Sequence, residues 1–461
     1  MDTPQPQADA NATADALTRR IADRDAKVGV VGLGYVGLPL AVALAEAGFR
    51  VRGVDLDPVK IAAIDAGRSP IADVESERVA PLVEAARLGA AADYGSLADC
   101  DAIFVCVPTP FDANKTPDLQ FVRAAADGVA AQLRPGQLIV LQSTTYPGTT
   151  EEVILPRLEA SDLEVGRDFF LAFSPERIDP GVPEHTVRNT PKVVGGVTPR
   201  CAELAADLLA SLGPEVRIVS GPRVAEMTKL LENIFRSVNI ALVNELAILG
   251  ERMNLDIWEV IDAAATKPFG FMPFWPGAGV GGHCIPIDPY YLAWKAREYD
   301  FSTRFIELAA DINQAMPFHA ANLVSRALDA DGRATLGARV LVLGVAFKPN
   351  VDDPRNSPAE RVIELLLARG AELEYHDPHI PRYRVGGSPI LAEPVELIGQ
   401  ALDDARLERA DVVVILTAHA AVDYDRVLRL AGRVVDTTRA TQGRDARHLI
   451  RLGAAWPAPA R

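Results

Sequence analysis

Cysteine is scarce in this chain: four residues in 461 (Cys100, Cys106, Cys201, Cys284), with no pair at CxxC spacing. That excludes a disulfide framework and leaves no zinc signature, so no metal is expected. Positive charge is also in deficit, with 47 lysines and arginines against 62 aspartates and glutamates, a net of −15. A protein that neutralises nucleic-acid phosphates needs the opposite balance, and no nucleic-acid partner is expected. The first 25 residues contain no apolar run and do not read as a signal peptide. They are expected to form a flexible N-terminal segment, and the chain reads as a reduced, cytoplasmic protein. Long uncharged runs are rare too. The exception is VGVVGLGYVGLPLAVALA at 28–45, which approaches transmembrane length. Its glycines, Pro39 and early β-branched residues fit a strand, a turn and a buried helix better than a span, so no membrane partner is expected.

What the chain does have is apolar surface for more than one core: 49% of it is hydrophobic. At ~150 residues per domain, about three domains are expected. Strand-like runs at Lys27–Val31, Arg50–Asp55, Ala102–Val107 and Leu138–Gln142 alternate with helical patterns such as Val36–Ala47, which predicts a parallel α/β sheet. From about Val224 to Met253, apolar residues recur at 227, 231, 234, 238, 242, 246 and 249. That spacing predicts one helix about 40 Å long, with apolar faces suited to dimer contact. Alternation restarts at Ala338–Leu343 with an internal echo. VGVVGLG (28–34) returns as RVLVLGVA (339–346), VDLDP (54–58) as YHDP (375–378), CDAIFVCVP (100–108) as ADVVVILTA (410–418), and GQLIVLQSTT (136–145) as GRVVDTT (432–438). The expected fold is therefore α/β, with two Rossmann-like doubly wound domains joined by a helical middle domain built on one long central helix. The expected boundaries are 1–25, 26–221, 222–325 and 326–461, with a loose tail at 453–461.

Gly32-Leu33-Gly34-Tyr35-Val36-Gly37 follows a strand and opens a helix, and Asp55 ends the next strand. These parts in register are a dinucleotide-binding signature: Gly32 for the turn, Gly34 for backbone approach to a pyrophosphate, Gly37 for helix–strand packing. The pyrophosphate would sit at the helix N-terminus. Asp55 would accept from the ribose hydroxyls and repel a 2′-phosphate, so NAD is the expected cofactor; Arg50, Arg52 and Lys60 keep NADP open. The second half replaces the glycines with Gly344-Val345-Ala346-Phe347-Lys348-Pro349, which suits a different nucleotide. There Ser357, Pro358 and Glu360 read as a capping box. Lys348 and Arg355 are candidate phosphate or carboxylate partners, or else solvated charges. In the glycine-rich run Gly277–Gly282, followed by His283 and Cys284, a cysteine can be approached closely by a substrate. Asp288-Pro289 would start a helix to Tyr299, and a helix N-terminus nearby favours a thiolate. The plainer alternative is that Cys284 packs and Asp288 caps. Lys229 and Asn233 stand at i and i+4 and share a helix face. A lysine is solvated by default, yet this one is flanked by apolar residues. Cys100, Cys106 and Cys201 read as structural.

On these motifs the chain resembles the UDP-glucose/GDP-mannose dehydrogenase family over about residues 26–450. The matching segments are GLGYVG (32–37), VPTP (107–110), STTYPGTT (143–150), SPERIDPG (174–181), EMTKLLENIFRSVNIALVNELA (226–247), GVGGHCIPIDP (279–289) and GVAFKPNVDDPRNSP (344–358). The resemblance implies two successive NAD-dependent oxidations at C6 of a nucleotide sugar, from primary alcohol to carboxylate. It implies Cys284 as the nucleophile, passing through a thiohemiacetal and a thioester. Lys229 and Asn233 match positions that steady the C6 oxyanion. Asp288 matches a water-organising acid, Glu176 an active-site glutamate and Thr144 a water-holding threonine. By the same matching, Asp55, Lys60, Thr109 and Arg355, with Tyr35 and Val36 of the glycine loop, face the cofactor. Lys348 faces the substrate, with Glu176, Arg177, Lys229, Asn233 and Gly281. The 26–221 segment is then the NAD domain, 222–325 the dimerisation domain carrying Cys284, and 326–461 the UDP-sugar domain of a homodimer or higher homo-oligomer.

The chain departs from the family pattern at one place. Oxidisers of UDP-glucose and GDP-mannose carry GGSC and then a lysine before the aspartate; here His283 stands for the serine and Ile285-Pro286-Ile287 holds no lysine. With KPFGFMPFWPG (267–277) ahead, this resembles members acting on N-acetylated UDP-hexosamines, UDP-N-acetylglucosamine above all, in surface polysaccharide synthesis. UDP-glucose and UDP-N-acetylmannosamine remain alternatives. A two-electron 3-hydroxyacid dehydrogenase shares the glycines and the Lys-x-x-x-Asn helix but has no need of the cysteine.

Overall fold

The structure is a computed structural model describing residues 5–71, 73–112, 115–178, 185–283 and 285–456. It divides into two compact units, Met1–Glu232 with Tyr290–Phe301, and Asn233–Pro289 with Ser302–Arg461. The first holds an eight-stranded sheet of β1 (Lys27–Val31), β2 (Arg50–Val54), β3 (Leu88–Ala91), β4 (Ala102–Val105), β5 (Leu138–Leu141), β6 (Phe170–Phe173), β7 (Lys192–Gly196) and β8 (Val216–Val219). The strand order is β3-β2-β1-β4-β5-β6-β7-β8, parallel throughout except where β6 meets β7. Strands buried on both faces read as continuous apolar runs, and β4, β5 and β6 are buried at every position. The uncharged run at 28–45 is β1, the turn and the buried helix Gly37–Glu46. Among the described residues, no helix is long and apolar enough to cross a membrane.

The second unit carries β9 (Arg339–Leu343), β10 (Glu372–His376), β13 (Val412–Ile415), β14 (Val434–Asp436) and β15 (Leu449–Arg451) in the parallel order β10-β9-β13-β14-β15. A hairpin of β11 (Arg382–Val385) and β12 (Val395–Ile398) forms a sheet of its own, packed on the same core. The echo in sequence is an echo in topology: β2-β1-β4-β5 of the first sheet reappears as β10-β9-β13-β14. The turn glycines correspond as well. Gly32 and Gly344 both have positive φ, +91° and +81°, and a Cβ on either would press on a backbone oxygen of the neighbouring crossover, Cys106 O at 2.5 Å and Thr417 O at 2.3 Å. Only glycine fits there.

The long helix runs Pro222–Met253. In the second unit its Asn244 Nδ2 donates to Asn313 Oδ1 of the helix Arg304–Ala330 at 2.9 Å, and Asn313 Nδ2 donates to Ser237 O at 3.1 Å. These buried amides satisfy one another, and so they fix how the two helices register.

Two expectations about the chain ends are corrected. Residues 5–22 form a helix rather than a flexible segment, because Ala14, Leu17 and Ile21 repeat at helical spacing and are buried in the first core. The tail at 453–456 is also tied down: Gly453 N donates to Glu251 Oε1 and Gly453 O accepts from Ile257 N. Residues 457–461 lie outside the described residues.

Candidate active site

In the first unit the glycine loop is locked by the acid that the sequence singled out. Asp55 Oδ2 accepts from Leu33 N at 2.8 Å and from Lys60 Nζ at 3.2 Å, and Oδ1 accepts from Asp57 N. A Cβ at Gly37 would fall 1.8 Å from Gly32 O, whereas one at Gly34 would meet nothing within 4 Å. Gly37 is thus required for packing, while Gly34 leaves the approach to the helix N-terminus open. Tyr35 and Val36 pack against the first core. These residues fit a dinucleotide: an open backbone edge at a helix N-terminus and a carboxylate at the end of β2. Thr109, past β4, is held through its carbonyl, which accepts from the buried Tyr291 hydroxyl.

Glu176 follows β6 and is already paired. Both its oxygens take the Lys192 ammonium, at 2.7 and 2.9 Å, and Gln142 Nε2 adds a bond at 3.0 Å. The Lys192 side chain has no exposed surface and that of Glu176 has 6%. Cys106 donates its thiol to Gln142 Oε1, and burial, with the nearby Glu176 charge, pushes that thiol far up. The Cys100 thiol, also buried, is pushed up to about 12. Both lie just outside β4, on either side of it, where a buried thiol with a raised pKa is a poor nucleophile. Arg177 pairs with Glu232 at 2.7 Å and donates to Pro191 O. Thr144 lies half-buried in the loop after β5. That loop is pinned by a residue the sequence reading passed over. Glu226 is buried and accepts from Gly148 N, Thr150 N and Thr150 Oγ1, at 2.6, 2.9 and 2.7 Å. Burial raises its carboxyl despite those bonds. The available signal was spacing, since Glu226 stands one turn before Lys229 on the same face.

Lys229 is buried, not solvated, and so is Asn233 one turn on. In the second unit Asn233 Nδ2 donates to Asp288 Oδ2 at 2.5 Å, joining residues 55 apart in sequence on either side of the Cys284 loop. Asp288 opens the helix Asp288–Ala296, and a single 3-10 turn carries it on to Tyr299. Cys284 itself lies outside the described residues. Gly281 packs against the loop 344–358, where Lys348 lies over the Phe347 ring and Arg355 pairs with Asp353 at 2.8 Å. Ser357 caps the helix Pro358–Ala368 through Ala359 N, but its own N–H bonds Pro354 O, so the reciprocal half of the expected capping box is not made.

Comparison with known proteins identifies the family. Three models of the UDP-glucose/GDP-mannose dehydrogenase family match in order: the NAD binding domain at 26–212, the central domain at 223–315 and the UDP binding domain at 341–445. A UDP-N-acetyl-D-glucosamine 6-dehydrogenase from Pseudomonas aeruginosa is 39% identical over 77% of this chain and 84% of its own. An NDP-N-acetyl-D-galactosaminuronic acid dehydrogenase from Ralstonia nicotianae is 36% identical over 89% of this chain and 95% of its own. The solved structure of a UDP-D-ManNAc dehydrogenase from Pyrococcus horikoshii superposes with a TM-score of 0.83 at 30% identity, covering 93% of this chain and 99% of that one. With all three domain models in sequence and a fold to match, the chain belongs to the UDP-glucose/GDP-mannose dehydrogenase family and binds NAD.

Proposed function

We propose that this chain oxidises C6 of a UDP-N-acetylhexosamine, UDP-N-acetyl-D-glucosamine before others, from alcohol to carboxylate. The observation that carries the reading is the 2.5 Å bond between Asn233 and Asp288, which brackets the cysteine loop with an amide donor and a carboxylate. Bound NAD+ supplies the hydride acceptor for each of the two oxidations. A four-electron oxidation at one carbon needs a group that retains the aldehyde between them. Cys284 does so by adding its thiolate to C6; the resulting thiohemiacetal is oxidised to a thioester, and water releases the acid and regenerates the thiolate. The buried Lys229 and the Asn233 amide steady the oxyanion at C6. Asp288 is assigned as the water-organising acid, and Thr144 as a water-holding threonine. Glu176, held by Lys192, is assigned as the active-site carboxylate.

The N-acetylated sugar is supported by His283 ahead of Cys284, and by relatives whose own names specify N-acetyl sugars. The UDP moiety falls to the second Rossmann-like half, with Lys348 toward its phosphates. A second copy of the chain is the partner we assign to the long helix. Met227, Leu231, Phe235, Leu242, Leu246 and Leu249 lie between 37% and 58% exposed, an apolar stripe that a homodimer would cover. NADH formation from UDP-glucose, UDP-GlcNAc, UDP-GalNAc and UDP-ManNAc tests the substrate. The highest kcat/KM is expected with UDP-GlcNAc, and a higher value with UDP-glucose than with every N-acetylated sugar would refute it.

A further inference from the structure

His283 occupies the position before Cys284 where UDP-glucose and GDP-mannose oxidisers hold a serine, and the second unit gives it a specific partner. The turn that leads to it lies flush on the loop 344–358. A Cβ at Gly281 would come within 2.9 Å of Asn356 O, Phe347 Cβ and Pro358 Cδ at once, and Asn356 Nδ2 donates to Gly282 O at 3.1 Å. His283 continues this contact with its side chain. Its ring stands edge-on to Phe347, 5.7 Å between centroids, and its Nε2 lies 3.0 Å from Asp353 Oδ2. Asp353 is in turn gripped by the Arg355 fork, Nε to Oδ1 at 2.9 Å and Nη2 to Oδ2 at 2.8 Å, and accepts from Arg355 N at 3.0 Å. Burial alone would push this carboxyl up; the close His283 ring and the hydrogen bonds from Arg355 outweigh it and hold Asp353 well below the usual carboxylate range. A serine hydroxyl, two bonds from Cα, cannot reach where the imidazole Nε2, four bonds out, meets the carboxylate.

We propose that His283 and Asp353, braced by Arg355, are positioning residues that fix the turn entering Cys284 onto the loop that carries Lys348. The proposal rests on reading Cys284 as the nucleophile. The pair acts as a unit, because either partner alone leaves the turn held only by Asn356 and by packing.

The test is a double-mutant cycle in the full-length enzyme, His283→Ser, Asp353→Asn and both together, with His283→Gln as the conservative variant. Two readouts are taken: kcat and KM for NADH formation with UDP-GlcNAc, and the rate of Cys284 alkylation by iodoacetamide without substrate, located by mass spectrometry. Each single change is expected to lower kcat at least threefold with KM for NAD within twofold, and to change the alkylation rate at least threefold in a common direction. The double variant should fall no further than the worse single one, and His283→Gln, whose amide reaches toward Asp353, should recover most of the loss. Should His283→Ser fail to fold, Asp353→Asn and His283→Gln carry the comparison. Effects that multiply in the double variant, or single variants within threefold of wild type in both readouts, would overturn the proposal. A wrong substrate assignment would silence the NADH readout in the unmutated enzyme while leaving the alkylation cycle intact, so the two failures are distinguishable.

Discussion

Asp377 Oδ2 lies 3.0 Å from His419 Nε2, and neither side chain has any exposed surface. His419 Nδ1 accepts from Asn350 N, so Nε2 is the nitrogen that carries the proton toward Asp377. The carboxylate also accepts from Val345, Ala346, His379 and Ile380 backbone N–H groups. Asp377 ends β10 as Asp55 ends β2, and both tie down the loop that follows the first strand of their sheet. Asp55 bonds one glycine-loop N–H and faces Lys60; Asp377 Oδ2 holds residues 345–350 directly and through His419, while its Oδ1 takes the N–H groups of His379 and Ile380. The same landmark thus makes one bond to the glycine loop in one half and two to the corresponding loop in the other.

That burial has a consequence for stability. Desolvation would raise the Asp377 carboxyl, but hydrogen bonds from His419, Val345 and His379 hold it at about 2. A carboxyl depressed in the folded state stabilises above its unfolded value near 4, and that contribution is lost as pH falls toward 2. Asp377→Asn should therefore cost on the order of 2 kcal/mol at pH 7 in urea unfolding. The gap from wild type should shrink as pH falls below about 4. A gap independent of pH between 7 and 3 would contradict the assignment.

Lys192 and Glu176 make a second measurable pair. Removing one partner strands the other as a buried charge, at a cost of roughly 3–5 kcal/mol. Lys192→Met should show a loss of that order in thermal or urea unfolding. Lys192→Met with Glu176→Gln should recover a substantial part of it. Additive losses in the double variant would mean that the two do not interact as their geometry indicates.

Cofactor choice follows from Asp55. Its charge at the end of β2 disfavours a 2′-phosphate. Asp55→Ala should lower kcat/KM for NAD, since Leu33 N loses its acceptor, and should narrow the preference over NADP. Equal kcat/KM for the two cofactors in the unmutated enzyme would remove Asp55 from the ribose.

For the long helix, sedimentation velocity decides. Leu231→Glu with Leu242→Glu places charges on the exposed apolar stripe and should shift a dimer to monomer. An unchanged sedimentation coefficient in the double variant would move the interface elsewhere.

The fold was legible because its signals are local and repeated. Lys27–Val31 and Arg339–Leu343 were readable as strands from β-branched runs, and Pro222–Met253 from apolar residues three and four apart. The N-terminal helix escaped notice because only Ala14, Leu17 and Ile21 mark its buried face amid polar neighbours. In the site, Lys229, Asn233 and Asp288 were legible by spacing and resemblance. Lys192, Gln142, Asp353, Asp377 and His419 were not, because each acts through a partner distant in sequence, and no single-chain periodicity encodes such pairing. The apolar stripe of the long helix was read correctly as apolar. Burial inside the chain, however, falls to the other face, through Ala225, Lys229, Asn233, Ser237 and Asn244.

The most direct test counts NADH per uronic acid formed from UDP-GlcNAc, by wild type and by Cys284→Ala. The account predicts two NADH per acid in wild type. In Cys284→Ala it predicts a fall in acid formation of several orders of magnitude, with NAD binding retained, the scale seen when a covalent nucleophile is removed. Two NADH per acid at near the original rate from Cys284→Ala would contradict it.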